Sequence, residues 1–434
     1  MTLSFQEHPL RHQVTAELHA RAYDPLRAPA RVSYIASICG ERGTGRNLAH
    51  LRRLLSHYRL PVPEGVGQHY AVDLGPIRLR WERHTEFVTY SFTKVGPFGH
   101  PFADPILDEL PEDWLRELPG EVVTAVSLAL EADDTPERSI DELVALFGGN
   151  PVIGCEVVGG AGRAWSDLRI HPDGFSRILL RDKGLSVNQS GRLVRRVLEV
   201  NAYRSVALLG LPLAREVTTS LTDADQQLVE VAARLGEREP THDGVSEGQL
   251  LAELTTLAAE IEAVAARTNY RFEASRAYYR MVQQRLEQLR QGRIEGLQPF
   301  TEFLEARLAP AIATCDSTRE RQQDLAERAA RVTSLLRARV EVGLHDQNRR
   351  LLESMDRRAW LQLRLQETVE GLSVIAISYY GVGLIGYLLK GAAVGNGLPI
   401  DPGLAQALAV PIVIVGAWLG LRHTKRRVHQ EEED

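Results

Sequence analysis

Cysteine is scarce. Cys39, Cys155 and Cys315 stand far apart in 434 residues with no CxxC pair, which suits reduced thiols in a cytosol and excludes a thiolate zinc site of ordinary spacing. Charge of one sign is lacking too: the net charge is −6 and basic residues are scattered among acids, so nucleic acid is not an expected partner. The opening residues carry no basic segment followed by an apolar one, and no signal peptide is expected. The paired histidines His8 and His12 lack a HExxH pattern, and the glycine-rich stretch at 159–162 has neither a following Lys-Ser/Thr nor GxGxxG spacing, so neither carries the metalloprotease, dinucleotide or phosphate-loop signature. Proline is missing between Pro310 and Pro399, and only Gly343 and Gly371 precede the apolar run that follows. Nothing there forces a helix to stop.

That proline-free quarter organises the chain. Ser317-Thr318-Arg319-Glu320 has the form of a capping box, which predicts a helix start at Asp316 and Ser317. Leu325, Ala329, Val332, Leu336, Val340, Leu344, Leu351, Met355, Ala359 and Leu363 then recur mostly at steps of three or four, as on an amphipathic helix. At about 1.5 Å per residue, an unbroken helix from Ser317 to Leu389 would be roughly 110 Å long. Residues 371–389 and 402–421 are runs of nineteen and twenty residues without a formal charge, each near the length that crosses a bilayer. Arg357, Arg358 and Arg364 precede the first run and Arg422, Lys425, Arg426 and Arg427 follow the second, so the positive-inside rule places both termini in the cytoplasm. Two transmembrane helices joined by a loop at 390–401 are expected.

The rest of the chain reads as cytoplasmic. Residues 1–187 mix the two periods: helices at 8–22, 45–58 and 139–147, and strands at 32–38, 70–74, 77–81, 86–93, 121–130, 152–158, 163–170 and 175–180. Beyond Asn188 the composition shifts to Leu, Ala, Arg, Glu and Gln, with helices at 191–235 (broken at Pro212), 246–291 and 299–313 before the long one. The fold class expected is an α+β N-terminal domain (1–187), a long-helix bundle and stalk (188–370), a two-helix transmembrane hairpin (371–421) and a charged cytoplasmic tail (422–434).

Several stretches invite chemistry. In Trp81-Glu82-Arg83-His84-Thr85-Glu86-Phe87, strand alternation puts Glu82, His84 and Glu86 on one face, a set able to hold a divalent cation or to act as acid and base; a solvated polar ladder is the plainer account. His8 and His12 are one helical turn apart, with Glu17, His19 and Arg21 behind them, which favours a surface helix over a metal site. Gly159-Gly160-Ala161-Gly162 reads as a turn between strands. Asp167, Arg169, Asp173 and Arg177 suggest cross-strand ion pairs. Gly191-Arg192-Leu193-Val194-Arg195-Arg196 places three arginines at a helix start, against the macrodipole preference, and calls for compensation by Glu199 or by an anion. In the first apolar run Tyr379, Gly383 and Gly386 share a face, with Gly381 on the other side. Small residues there suit helix association, and a sharper reading lines a permeation path with Glu370, Ser373 and the tyrosines.

His8-Pro9-Leu10-Arg11, Glu17-Leu18-His19-Ala20-Arg21, the stretch 81–90, Asp173-Gly174-Phe175-Ser176-Arg177, and the stretches 191–203 and 361–380 occur in one order. By them the chain resembles, over nearly its whole length, the bacterial membrane-anchored proteins of the domain-of-unknown-function family 3422. Ala22-Tyr23 stands where that family often has a proline. The resemblance implies a cytoplasmic domain, a C-terminal membrane anchor and no established activity. A looser, architectural likeness is to CorA-type magnesium channels, but residues 390–396 read KGAAVGN where such channels carry Gly-Met-Asn.

The function expected is that of a multi-pass protein of the bacterial inner membrane, non-enzymatic and homo-oligomeric, that binds a cytoplasmic protein or ion ligand and needs no cofactor beyond a divalent cation at most. The alternative is a CorA-like divalent-cation channel or transporter with a cytoplasmic sensing domain. An enzyme using Glu82, His84 and Glu86 with a metal is the third reading.

Overall fold

Residues of alternating polarity form strands at Ala30–Ile38 (β1), His69–Leu74 (β2), Ile77–Arg83 (β3), Phe87–Val95 (β4), Glu121–Glu131 (β5), Ile153–Val157 (β6), Gly162–Ile170 (β7) and Ser176–Asp182 (β8), with a two-residue strand at Gly292–Arg293 (β9). The computed structural model describes residues 7–12, 14–15, 23–40, 44–62, 67–236, 247–396 and 402–430. Among them the strands make one sheet in the order β2-β3-β4-β1-β5-β8-β7-β6-β9. Every pairing is antiparallel except β5 with β8. The parallel pair requires a crossover, and residues 132–175, which carry β6, β7 and a helix, supply it.

Helices cover Thr44–His57 (α1), Glu112–Arg116 (α2), Ile140–Leu146 (α3), Val187–Leu208 (α4), Gly210–Gly236 (α5), Glu247–Gln288 (α6), Phe300–Asn396 (α7) and Pro402–Gln430 (α8). One face of the sheet offers Val32, Tyr34, Leu128, Leu130, Ile178 and Leu180 to Leu193, Val197 and Val200 of α4, with Tyr278 and Val282 of α6 and Leu304 and Leu308 of α7 in the same core. The other face packs Leu79, Trp81, Tyr90 and Phe92 against Leu51, Leu54 and Leu55 of α1 and Trp114 of α2. Sheet and helices therefore share a core, and the change in composition at 188 marks a change of layer.

The chain divides into two compact units, Met1–Thr333 and Ser334–Asp434. Among the described residues one helix, Phe300–Leu388, is long and apolar enough by length and composition to cross a membrane, while the later apolar stretch is the shorter Ala407–Gly420. A Cβ on Gly381 would lie 3.0 Å from Val413 Cγ1, so α7 and α8 approach closely at that glycine.

Three sequence expectations are corrected. The helix expected at 191–235 begins at Val187, where Ser186 and Gln189 form a capping box, and it breaks at Leu209. Pro212 lacks an N–H and its ring collides with the carbonyl four residues back, at Leu208, so the break falls before the proline. The short helix at 299–313 and the rod starting at 316 are one helix, α7, running through Pro310. Leu304, Leu308, Ile312 and Cys315 are buried on both sides of that proline, and their packing outweighs the lost hydrogen bond. Ser317 caps nothing. Asp316 instead accepts from Arg276 Nε at 2.9 Å, and Thr318 bonds back to the Thr314 carbonyl at 2.8 Å. The first apolar run does not end its helix at Leu389, since α7 continues to Asn396.

Candidate functional site

The site begins with β3. Its alternation turns Arg78, Arg80 and Glu82 to the side of the sheet on which α4 lies, opposite Thr93, Ser91 and Thr89 of β4. His84, Thr85 and Glu86 are not on a strand: they form the turn between β3 and β4, closed by His84 N donating to the Phe87 carbonyl at 2.9 Å. The expected face of Glu82, His84 and Glu86 therefore does not exist. Glu86 belongs to Arg271 of α6, whose Nη1 and Nη2 donate to its two oxygens at 2.7 and 2.8 Å. Glu82 is buried and meets Arg80 at 2.9 Å, Arg195 at 3.2 Å and His69 at 3.3 Å. Among the described residues no three His, Cys, Asp or Glu side chains gather as a metal would require; arginine takes that place around each glutamate.

Gly191 brings the second wall in. A Cβ there would run into the Asp24 carbonyl oxygen, so only glycine lets the segment at 23–26 lie on α4, where Leu26 N also donates to the Val187 carbonyl at 2.9 Å. Asp24 can then accept from Arg78 at 2.9 Å and Arg80 at 3.1 Å, and the Tyr23 hydroxyl accepts from Arg192 at 2.7 Å. Since α4 begins at Val187, the three arginines expected at its start occupy its second and third turns. Glu199 supplies the compensation expected for Arg195, at 2.8 Å, and also holds Arg285 of α6.

Charges thus alternate across the cleft: Asp24, Arg80, Glu82, Arg195, Glu199, Arg285. Burial opposes ionisation of Glu82, but the His69 imidazole and the Arg195 and Arg80 guanidinium groups outweigh it and hold the carboxyl well below the usual range. Arg195 feels the same burial, and Glu82 and Glu199 keep it firmly charged. Burial raises Tyr34 and Tyr203, which stay neutral beside them.

Two hollows open along this chain of charges. One, of about 270 Å³, lies between the polar face of β3 and β4 and Val194, Arg195 and Leu198 of α4. The other, of about 210 Å³, lies between the turn at Arg83 and His84, the arginines of α4, and Arg285 and Gln288 of α6. Seven arginines and four carboxylates line the two together, an arrangement suited to holding an anion. Tyr23, Arg285 and Gln288 were invisible to motif reading because they come from distant parts of the chain; the signal present was the Gly-Arg pair at 191–192.

The remaining candidates are structural. His12 meets Glu7 at 2.9 Å and both are exposed; Glu17, His19 and Arg21 lie outside the described residues. Residues 159–162 turn from β6 to β7, with Gly159 and Gly160 at φ of 69° and 91°. Arg177 pairs with Asp173 at 3.1 Å, but Asp167 is buried with His171 at 2.9 Å and Asn150 at 2.8 Å and makes no cross-strand pair. In the second unit, Gly386 and Ser378 are buried and Gly381 faces Val413, whereas Tyr379 is exposed and nothing lies near the Cβ position of Gly383. Packing thus divides the glycines otherwise than expected. Ser373 bonds to its own helix at the Val369 carbonyl, 2.9 Å away, and Glu370 accepts from Gln366 at 3.3 Å.

No curated protein matches the chain. A family model matches residues 6–428, nearly its whole length, and the chain belongs to that family, described as a protein of unknown function (DUF3422).

Proposed function

We propose that the protein is a non-enzymatic, membrane-anchored binding protein. It sits in the bacterial inner membrane through a two-span hairpin, keeps both termini in the cytoplasm, works as a homo-oligomer and takes its ligand in the arginine cleft. The observation that carries the anchor is the exposure of the first apolar run: Leu372, Ile375, Tyr380, Leu384 and Leu388 are 62–73% exposed. Each such side chain left in water forgoes about 1.5–3 kcal/mol of burial, and lipid removes that cost. Residues 402–421 complete the hairpin, and the arginines flanking it set its orientation. The anchor is tested by alkaline carbonate extraction of membranes containing the full-length protein. It should stay in the pellet, and a tag after Asp434 should resist protease added from the periplasmic side. Release into the supernatant overturns the anchor. Divalent-cation flux through proteoliposomes, above that of empty vesicles, would replace the binding reading with the CorA-like channel.

A further inference from the structure

The surplus of guanidinium over carboxylate is concentrated in the smaller hollow. There Glu199 engages both Arg195 and Arg285. Arg83, Arg192 and Arg196 have no carboxylate partner among the described residues. Arg192 donates to the Tyr23 hydroxyl at 2.7 Å and lies 4.8 Å from its ring centre; Arg196 donates to the Gln288 carbonyl oxygen at 3.1 Å. Burial, then the charges of Arg192 and Arg285, lower the pKa of Arg196, so this hollow disfavours its own positive charges. Such a gathering is stable as a receptacle for negative charge: planar guanidinium forks from the end of β3 and from a helix match the oxygens of a tetrahedral anion, which offers more acceptors than a planar carboxylate.

We propose that this hollow binds the phosphate group of a small phosphorylated ligand through Arg83, Arg192 and Arg196, with the organic part of that ligand in the adjoining larger hollow. The two hollows share Tyr23, His84, Arg195 and Glu199. The larger one adds Leu26, Val194 and Leu198 as apolar wall and Thr89, Ser91 and Thr93 as hydroxyl donors, a lining that fits a partly polar organic group. The inference rests on the binding-protein reading above and names the ligand class of the same cleft. The phosphate can belong to a soluble monoester or to the headgroup of a phosphatidic acid, since both are phosphomonoesters that present the same dianion.

Calorimetric titration of the full-length protein in a zwitterionic detergent separates these sources. The probes are glycerol 3-phosphate and the short-chain lipid dihexanoyl phosphatidic acid. Heats with both assign a soluble phosphate ester, and heats with the lipid alone assign a headgroup; either supports the proposal if affinity falls tenfold or more in the R192Q/R196Q variant and is unchanged in R293Q, an exposed arginine on β9. If the double variant does not fold, R83Q at the end of β3 reads the same site and should also weaken binding tenfold. Heats with neither probe, or heats that survive loss of these arginines, overturn the proposal. Carbonate extraction does not involve the cleft, so a protein that stays in the membrane but ignores both probes refutes the phosphate site alone, and one that extracts but binds refutes the anchor alone.

Discussion

Glu82 shows what one residue contributes and how much of it was legible. Alternation along β3 correctly turned it off the apolar face, but the solvated ladder that alternation suggested is a buried wall, because α4 and the segment at 23–26 cover it. His84 and Glu86 were misplaced because the turn they form contains no Gly, Pro, Asn or Asp, the residues that announce a turn. Its carboxyl, held down by His69, Arg195 and Arg80 against burial, makes stability depend on pH in a defined direction. A depressed folded pKa contributes stability that is complete above the unfolded carboxylate value of about 4.3 and is lost as pH falls below it. Glu82→Gln should therefore lower the melting temperature at pH 7, since removing one partner of a buried pair costs about 3 kcal/mol. The gap between variant and wild type should narrow from pH 5 to pH 3. A gap constant over that range would show that Glu82 is not held ionised by its neighbours.

At the scale of elements, periodicity located nearly every strand to within a few residues. Local end signals were less dependable: Pro310 sits inside α7 and Ser317 caps nothing, because buried contacts on both sides of the proline outweigh one missing backbone bond. The pairing of β5 with β8 and the small β9 depend on which distant segments meet, which no local pattern records. Gly191 joins the two kinds of information. In an exposed helix Gly→Ala gains about 1 kcal/mol. Here the added Cβ meets the backbone of Asp24, which cannot rotate away as a side chain would. Gly191→Ala should destabilise the protein by about 1–3 kcal/mol, the usual range for overpacking. It should also raise protease cutting near Tyr23 and Asp24, as that segment lifts from α4 and releases Arg78, Arg80 and Arg192. A variant as stable and as resistant as wild type would mean that the segment does not need this glycine.

The whole molecule was legible where composition changes abruptly, at 188 and at the first uncharged run, where a long apolar helix lies, and illegible where sheet and helices share a core. Its second unit poses a packing problem that a single chain leaves open. Val342, Leu344, Leu351, Leu352, Met355, Leu361 and Leu363 of α7 are each more than half exposed, and they precede the apolar run. Of these, Leu344, Leu351, Met355 and Leu363 form one row at helical spacing beside Arg, Gln and Glu, as in helices that meet their own copies. Closed symmetric association would bury it on every copy at once. Light scattering on a size-exclusion column should therefore show the full-length protein in detergent as an oligomer. L351E/M355E, which puts charge in the middle of the row and leaves both the cleft and the uncharged runs intact, should reduce it to a monomer. A wild-type monomer would mean that these side chains remain in water or meet a different protein; an oligomer unaffected by the two glutamates would place the contact between copies elsewhere, with Gly381 of α7 next in line for substitution.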